Sequence, residues 1–280
     1  MSDGVYAPAM PAPGPVPLDR GALAVLREIA DPLVFDLGAP IGEAMPQFSD
    51  ARRFERSWVT PPSPVRSGEV TFAVESVEAS LHTSTHIDAP VHVQYDGLIH
   101  GGEPVATAAA EGFFQRGGVE TLALMVVPFV LLDVARAAGV EALPDDAEIG
   151  SAELERALHD GLSIEPGTAV LVRSGKMRSF GTGDAHLAEQ PGLTLDGAQW
   201  LLDRQVATIG SDTAGTEPMP ARDSVGPVHK LVLFERGIPL VENLVLDELA
   251  AHGHTRGVFV CLPLKLVGAT GSWVRPIAIA

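Results

Sequence analysis

The sequence predicts an α/β fold, and three observations predict it. Runs that read as strands alternate with runs that read as helices from residue 151 onward. The apolar fraction, 46% of 280 residues, suffices for one large core or at most two domains. No internal repeat, low-complexity block or linker divides the chain after residue 30.

The elements follow in order. Residues 1–17 are rich in Pro and Ala and lack the basic region and apolar core of a secretory signal. With a short helix over Gly21–Ala30 they form an expected N-terminal arm, residues 1–30, ahead of a domain spanning 31–280. Leu33–Leu37 reads as a strand. Residues 38–68 carry Pro, Ser and Arg without a period and predict a long loop over a surface or pocket. Strand signals resume at Val70–Val77 and again over residues 123–134. Ser151–His159 predicts a helix, with Ser151 as N-cap and Glu153 and Glu155 near the first turn. Then come a strand (Thr168–Arg173), a helix (Thr194–Arg204), a strand (Val206–Gly210), a helix (Val228–Arg236) and a strand (Ile238–Val241). Val258–Leu264 and Val274–Ala280 add two more strands.

Charge and cysteine content narrow the function. A net charge of -17 argues against nucleic acid and anionic membrane as partners and favours a small-molecule ligand. The single cysteine, Cys261, rules out an intrachain disulfide and any zinc site built from several thiolates. Its flank, Val258–Leu262, reads as a buried strand, which makes it a core residue. The most apolar stretch, Leu122–Leu132, is too short to span a bilayer and contains Pro128. The expectation is a soluble, cytoplasmic protein.

The densest chemical signal is Leu81-His-Thr-Ser-Thr-His-Ile-Asp-Ala-Pro-Val-His92, an H-x3-H-x-D-x3-H pattern. Imidazoles with a carboxylate are what a borderline ion such as zinc or manganese asks for. Pro90 and the β-branched neighbours disfavour a helix here. In a strand His82, His86, Asp88 and His92 share parity and one face. A straight strand would nonetheless hold His82 and His86 roughly 13 Å apart, too far for one ion with bonds near ~2 Å. The chain must bend at Thr83-Ser84-Thr85 and again near Ala89-Pro90. Further ligands are expected at strand C-termini, where Glu242 and Asp212 fall, and from His229 between them.

The H-x3-H-x-D-A-P-x-H run resembles the signature of the metal-dependent cyclase/amidohydrolase family, which includes bacterial kynurenine formamidase and isatin hydrolase. Val170–Gly175, Pro191-Gly-Leu193, Ile209–Thr213, His229, Glu242-Asn-Leu244 and Leu262–Ser272 follow in that family's order, so the resemblance covers residues 33–280. It implies a swivelling β/β/α fold in a single domain and a homodimer or homotetramer. It implies His82, His86 and Asp88 on one metal, with Asp88, His229 and Glu242 on a second. It implies one or two divalent ions, Zn2+ first and Mn2+ as the alternative. His92 matches the family's proton-transfer histidine, and Phe48 stands where formamidases carry a Trp over the substrate. The chain departs from the pattern at Ser84, where glycine is common. It departs again at Ala214-Gly-Thr-Glu217, where formamidases carry Pro-Ser and a later Asp.

The expected activity is hydrolysis of a small-molecule amide, formamide or cyclic amide by metal-activated water, with His92 as general acid and base. The alternative is a metal-dependent lyase or cyclase in a natural-product pathway, and the third reading is a closed, non-catalytic metal site. His252-Gly-His254 is expected in a solvated loop. Arg173 and Lys176 are candidates for an anionic substrate group. His100, His159 and His186 lack partners in sequence. No P-loop, H-E-x-x-H or G-x-S-x-G pattern occurs.

Overall fold

The computed structural model describes residues 19–48, 53–63, 70–109, 112–159, 161–220 and 226–280. The Pro/Ala-rich arm lies outside them, as does part of the 38–68 segment. Thirteen strands are present among the described residues: β1 (Val34–Asp36), β2 (Glu55–Thr60), β3 (Val74–Glu78), β4 (His86–Asp88), β5 (Met125–Asp133), β6 (Glu148–Ile149), β7 (Ala169–Arg173), β8 (Gly192–Leu193), β9 (Thr208–Ser211), β10 (Leu240–Glu242), β11 (Arg256–Cys261), β12 (Gly271–Trp273) and β13 (Ile277–Ile279). Nine of them form one mixed sheet in the order β1-β13-β11-β5-β7-β9-β10-β4-β12.

The centre of the sheet, β5-β7-β9-β10, is parallel, and antiparallel strands flank it on both sides. Strands buried on both faces read as continuous apolar runs, as in Met125–Asp133 and Ala169–Arg173. Side chains alternate between the faces. Phe129, Leu131 and Leu171 join one core with Phe35, Ile87 and Phe259. Val130, Leu132 and Val170 join the other with Leu154, Leu201 and Val232. The second core is roofed by helices Ser151–Ala157, Leu195–Leu202 and Pro227–His229, the last running on into a π-helix over Lys230–Glu235. Helix Arg20–Glu28, capped by Asp19, lies on β5 and β11.

Three expectations are corrected. The 38–68 loop holds a strand, β2, which pairs with β3 into an antiparallel ribbon exposed along every residue of both strands. Ser151 is the first helical residue rather than the N-cap. That place belongs to Gly150, whose N–H donates to Glu153 Oε2 at 3.1 Å, while the Ser151 N–H donates to Asp196 at 2.8 Å. The expected strand over Val274–Ala280 is confined to β13, Ile277–Ile279; Val274–Pro276 separate it from β12, which ends at Trp273. A proline such as Pro276 has no N–H to give a ladder.

Candidate metal centre

The site forms where β10 ends beside β4. Their antiparallel register sets Glu242 opposite His86 and Leu240 opposite Asp88. His86 and Asp88, two residues apart in β4, share a face. The H-x3-H-x-D-x3-H run bends on both sides of this short strand, as its spacing requires. Ser84 turns with φ 54°, and Pro90–His92 is a 3-10 turn. Parity therefore orients only His86 and Asp88; the bends bring in His82 and His92. On the far side of β4, Gly271 of β12 pairs with Asp88. A Cβ at residue 271 would meet His82 Cε1 at 2.6 Å, so a glycine there admits the His82 ring.

Buried carboxylates organise the cluster. His82 Nδ1 lies 2.7 Å from Asp88 Oδ1, and His86 Nε2 lies 3.4 Å from the same oxygen and 3.5 Å from Glu242 Oε2. His229 Nε2 lies 3.6 Å from Asp88 Oδ2 and 3.4 Å from Glu242 Oε1. His92 Nε2 is 3.9 Å from Asp88 Oδ2, and its ring stacks on His82 at 4.0 Å. Separations of 3.4–3.6 Å are long for hydrogen bonds. They suit donor atoms arranged around an ion with bonds near ~2 Å. Two ligand groupings share Asp88: His82 and His92 in one, His86 and Glu242 in the other.

The outer contacts turn one nitrogen of each of three rings inward. A histidine that binds a metal usually ties its other ring nitrogen to an acceptor. His82 Nε2 pairs with Thr270 Oγ1 at 2.8 Å, His86 Nδ1 donates to the Ser84 carbonyl at 2.9 Å, and His229 Nδ1 pairs with Glu217 Oε2 at 2.9 Å. Each turns the other ring nitrogen toward the carboxylates, where that of His82 donates to Asp88 Oδ1 at 2.7 Å and where an ion would take the place of the proton. His92 has no such tether among the described residues, and its side chain is 33% exposed.

Electrostatics agree. Burial pushes the Asp88 carboxyl up, but His92, His229, His82 and His86 outweigh it and hold it well below the usual range. Burial likewise opposes protonation of His229, yet Asp88, Glu217 and Glu242 raise it well above the ordinary value. Two buried carboxylates thus demand positive charge, which fits a divalent cation held by His82, His86, Asp88, His229 and Glu242. His92 goes the other way. Burial, reinforced by His82 and His229 and opposed by Asp88, lowers it to about 4.

The centre opens into a cavity of about 750 Å³ whose walls include Phe48, Leu187, Met219 and Pro220. His82, His86, Asp88, His92, His229, Glu242 and Phe48 all line it. Asp212 does not. It turns into the fold to accept from Ser174 N, Ser174 Oγ and Gly175 N at 2.7–2.8 Å, and burial pushes it up to about 6. Arg173 and Lys176 are also structural. Arg173 pairs with Asp133 and Asp247, and Lys176 with Asp145. His252 and His254 follow helix Asp247–Ala251 and flank Phe35 at 5.3 and 5.4 Å, away from the centre.

Two functional residues escaped sequence reasoning. Glu217, which orients His229, falls in the Ala214–Glu217 stretch that departs from the formamidase pattern; the departure itself was the available signal. Thr216, whose hydroxyl donates to Glu242 Oε1 at 2.8 Å, carried no signal beyond that neighbourhood.

Fold and site together define a class: a mixed α/β sheet protein with a His/carboxylate centre at the end of its parallel strands. The chain belongs to the cyclase family, whose model matches residues 35–218. It is 30% identical over 224 residues to kynurenine formamidase of Bacillus cereus, covering 80% of this chain and 85% of that one. Among solved structures, one described as a novel cyclase superposes with a TM-score of 0.83 at 25% identity, covering 93% and 91% of the two chains. An isatin hydrolase bound to the product analogue thioisatinate shares the fold, with a TM-score of 0.70 at 22% identity over 93% and 96%. The swivelling β/β/α architecture expected from the resemblance is the one observed.

Proposed function

We propose that this chain is a metal-dependent hydrolase of a small amide, formamide or cyclic amide. The observation that carries the proposal is the tethering of three histidines by their outer nitrogens around two shared, buried carboxylates. Descent shared with a kynurenine formamidase supports the C–N bond as the target. His82, His86, Asp88, His229 and Glu242 hold one or two divalent ions, with zinc first and manganese second for this donor set. A bound divalent ion supplies carbonyl polarisation and brings the pKa of a water toward ~7.

The chain's own residues do the rest. His92, untethered and neutral at pH 7 with its proton affinity lowered to about 4, accepts the water's proton at Nε2 and returns it to the leaving nitrogen. Phe48 packs on the apolar part of the substrate. The catalytic unit is residues 31–280, with residues 1–30 accessory. The second reading, a lyase or cyclase, draws on the structural likeness to a protein described as a cyclase. Product mass separates them: hydrolysis adds a water, dehydration removes one, ring closure changes nothing.

The test is metal analysis of protein purified without added metal, then an amide, lactam and ester panel with mass detection. We expect His92→Ala to keep its metal and lose about 10²–10⁴-fold in kcat. Full activity in metal-free protein would sink the scheme.

The assembly is a homodimer or homotetramer built through the β2–β3 ribbon. Trp58, Val59 and Val77 are 56%, 65% and 47% exposed on it. An isolated two-stranded ribbon is marginal in water, and a symmetric second copy supplies a cover for both. Light scattering on Trp58→Ser/Val77→Ser should show a smaller species; an unchanged mass excludes the ribbon from the interface. A cytoplasmic location fits the single free, buried Cys261. Among the described residues no helix is long and apolar enough to cross a membrane.

A further inference from the structure

Gln190 is fully buried, and the backbone of one short loop satisfies its side-chain amide completely. Its Oε1 accepts from Ala214 N at 2.9 Å and from Gly215 N at 3.3 Å. Its Nε2 donates to the Gly215 carbonyl and, at 2.8 Å, to the Glu217 carbonyl. A backbone N–H only donates and a carbonyl only accepts, so the partners themselves fix which end of the amide is oxygen. The backbone of Gln190 adds two bonds, donating to Met219 O at 3.0 Å and accepting from Met219 N at 3.1 Å.

The loop so held, residues 213–219, packs closely on β8, which follows Gln190. Leu193 N donates to the Thr216 carbonyl at 2.8 Å. A Cβ at Gly192 would stand 2.2 Å from the Glu217 carbonyl carbon and 2.4 Å from Pro218 N, so only a glycine lets β8 lie this near.

The same loop reaches the metal centre. Thr216 Oγ1 donates to Glu242 Oε1 at 2.8 Å, and Glu217 Oε2 accepts from His229 N at 3.0 Å and from His229 Nδ1 at 2.9 Å. Two consecutive residues thus orient two ligands whose donor atoms, Glu242 Oε1 and His229 Nε2, lie 3.4 Å apart. Ala214, Gly215 and Met219 line the cavity. At the start of the loop the Thr213 carbonyl accepts from Asn243 N at 2.9 Å, while Thr85 Oγ1 donates to Asn243 O at 2.6 Å. The loop, the residue after Glu242 and the H-x3-H run therefore meet at one point. A loop has no ladder to pair its backbone, and buried N–H and C=O groups left unpaired are costly. Here one side chain takes the place of a ladder.

We propose that Gln190 is a positioning residue for the metal centre: by clamping Ala214–Glu217 it sets the Thr216 hydroxyl on Glu242 and the Glu217 carboxylate on His229. The inference rests on the metal-centre reading above. It makes the cavity wall and two of the ligands beside it parts of one frame.

The test is zinc competition against a chromophoric chelator on the full chain, with melting temperature measured alongside. Gln190→Met keeps the length of the side chain and removes all of its hydrogen bonds. It should weaken zinc binding by about 10-fold, as loss of outer partners does. Leu154→Ala, in the helix-roofed core, should lower the melting temperature as far and leave zinc affinity within about twofold of the wild type. In a Thr216→Val/Glu217→Ala background the clamp has nothing left to orient, and adding Gln190→Met should cost less than about threefold. Gln190→Glu keeps the acceptor and loses both donors. With an expected severalfold loss, it carries the same cycle if the Met variant does not fold. Wild-type affinity in a folded Gln190 variant overturns the inference. So does an equal loss in the two backgrounds, or an equal loss in Leu154→Ala at matched melting temperature. Wild-type protein that takes up no zinc overturns the metal reading and this inference with it; the other outcomes overturn this inference alone.

Discussion

The nitrogen that faces away from the carboxylates separates the histidines of the centre into two kinds. His82, His86 and His229 each spend that nitrogen on Thr270, the Ser84 carbonyl or Glu217. His92 spends it on nothing among the described residues and rests its ring on His82. In the proposed mechanism a tethered ring holds an ion and the free one carries a proton. Glu217 is the sharpest test of this logic, because it takes both the ring N–H and the backbone N–H of His229. We expect Glu217→Gln to weaken metal binding by about 10-fold while the fold persists, read by chelator competition and circular dichroism. The His82–His92 run was legible in sequence because its ligand types are dense and its spacing forces bends. Asp212 misled for a physical reason. It ends a strand as Glu242 does, but the turn at Ser174–Gly175 presents it with three donors, and it folds onto them.

At the scale of elements, a three-residue strand supplies two side chains of the centre, His86 and Asp88. β4 is held between β10 and β12, so its register fixes both His86 and Asp88 against Glu242 and Gly271. Gly271→Ala would push a methyl group to 2.6 Å from His82 Cε1 and 2.9 Å from the Ile87 carbonyl. We expect a loss of about 1–3 kcal/mol in urea unfolding, together with weaker metal binding; unchanged values in both would refute the contact. The parallel strands β5 and β7 were readable because burial on both faces leaves an unbroken apolar run. The ribbon was harder. β2 lies in a Pro- and Ser-rich stretch and buries neither face, so no alternation marks it. The helix after His229 was found, but its π geometry has no period signature in six residues.

Across the whole molecule, the centre ties together segments that are distant along the chain: the 82–92 run, His229 and Glu242. A cation bound only by the folded state adds about 2.7 kcal/mol at a hundredfold excess over its Kd. For a chain of this size chelation should therefore lower the Tm by about 5–10 °C; an unchanged Tm would mean that no ion links these segments. The pairing that closes the site has a kinetic consequence. Thr85 meets Asn243 across 158 residues of sequence, so the ligands are scattered until the sheet is nearly complete. An ion that arrives last cannot seed collapse. Refolding should run at one rate with or without zinc, while unfolding of the loaded protein slows by about 100-fold: the metal acts as a latch on the finished molecule, not as a template for building it.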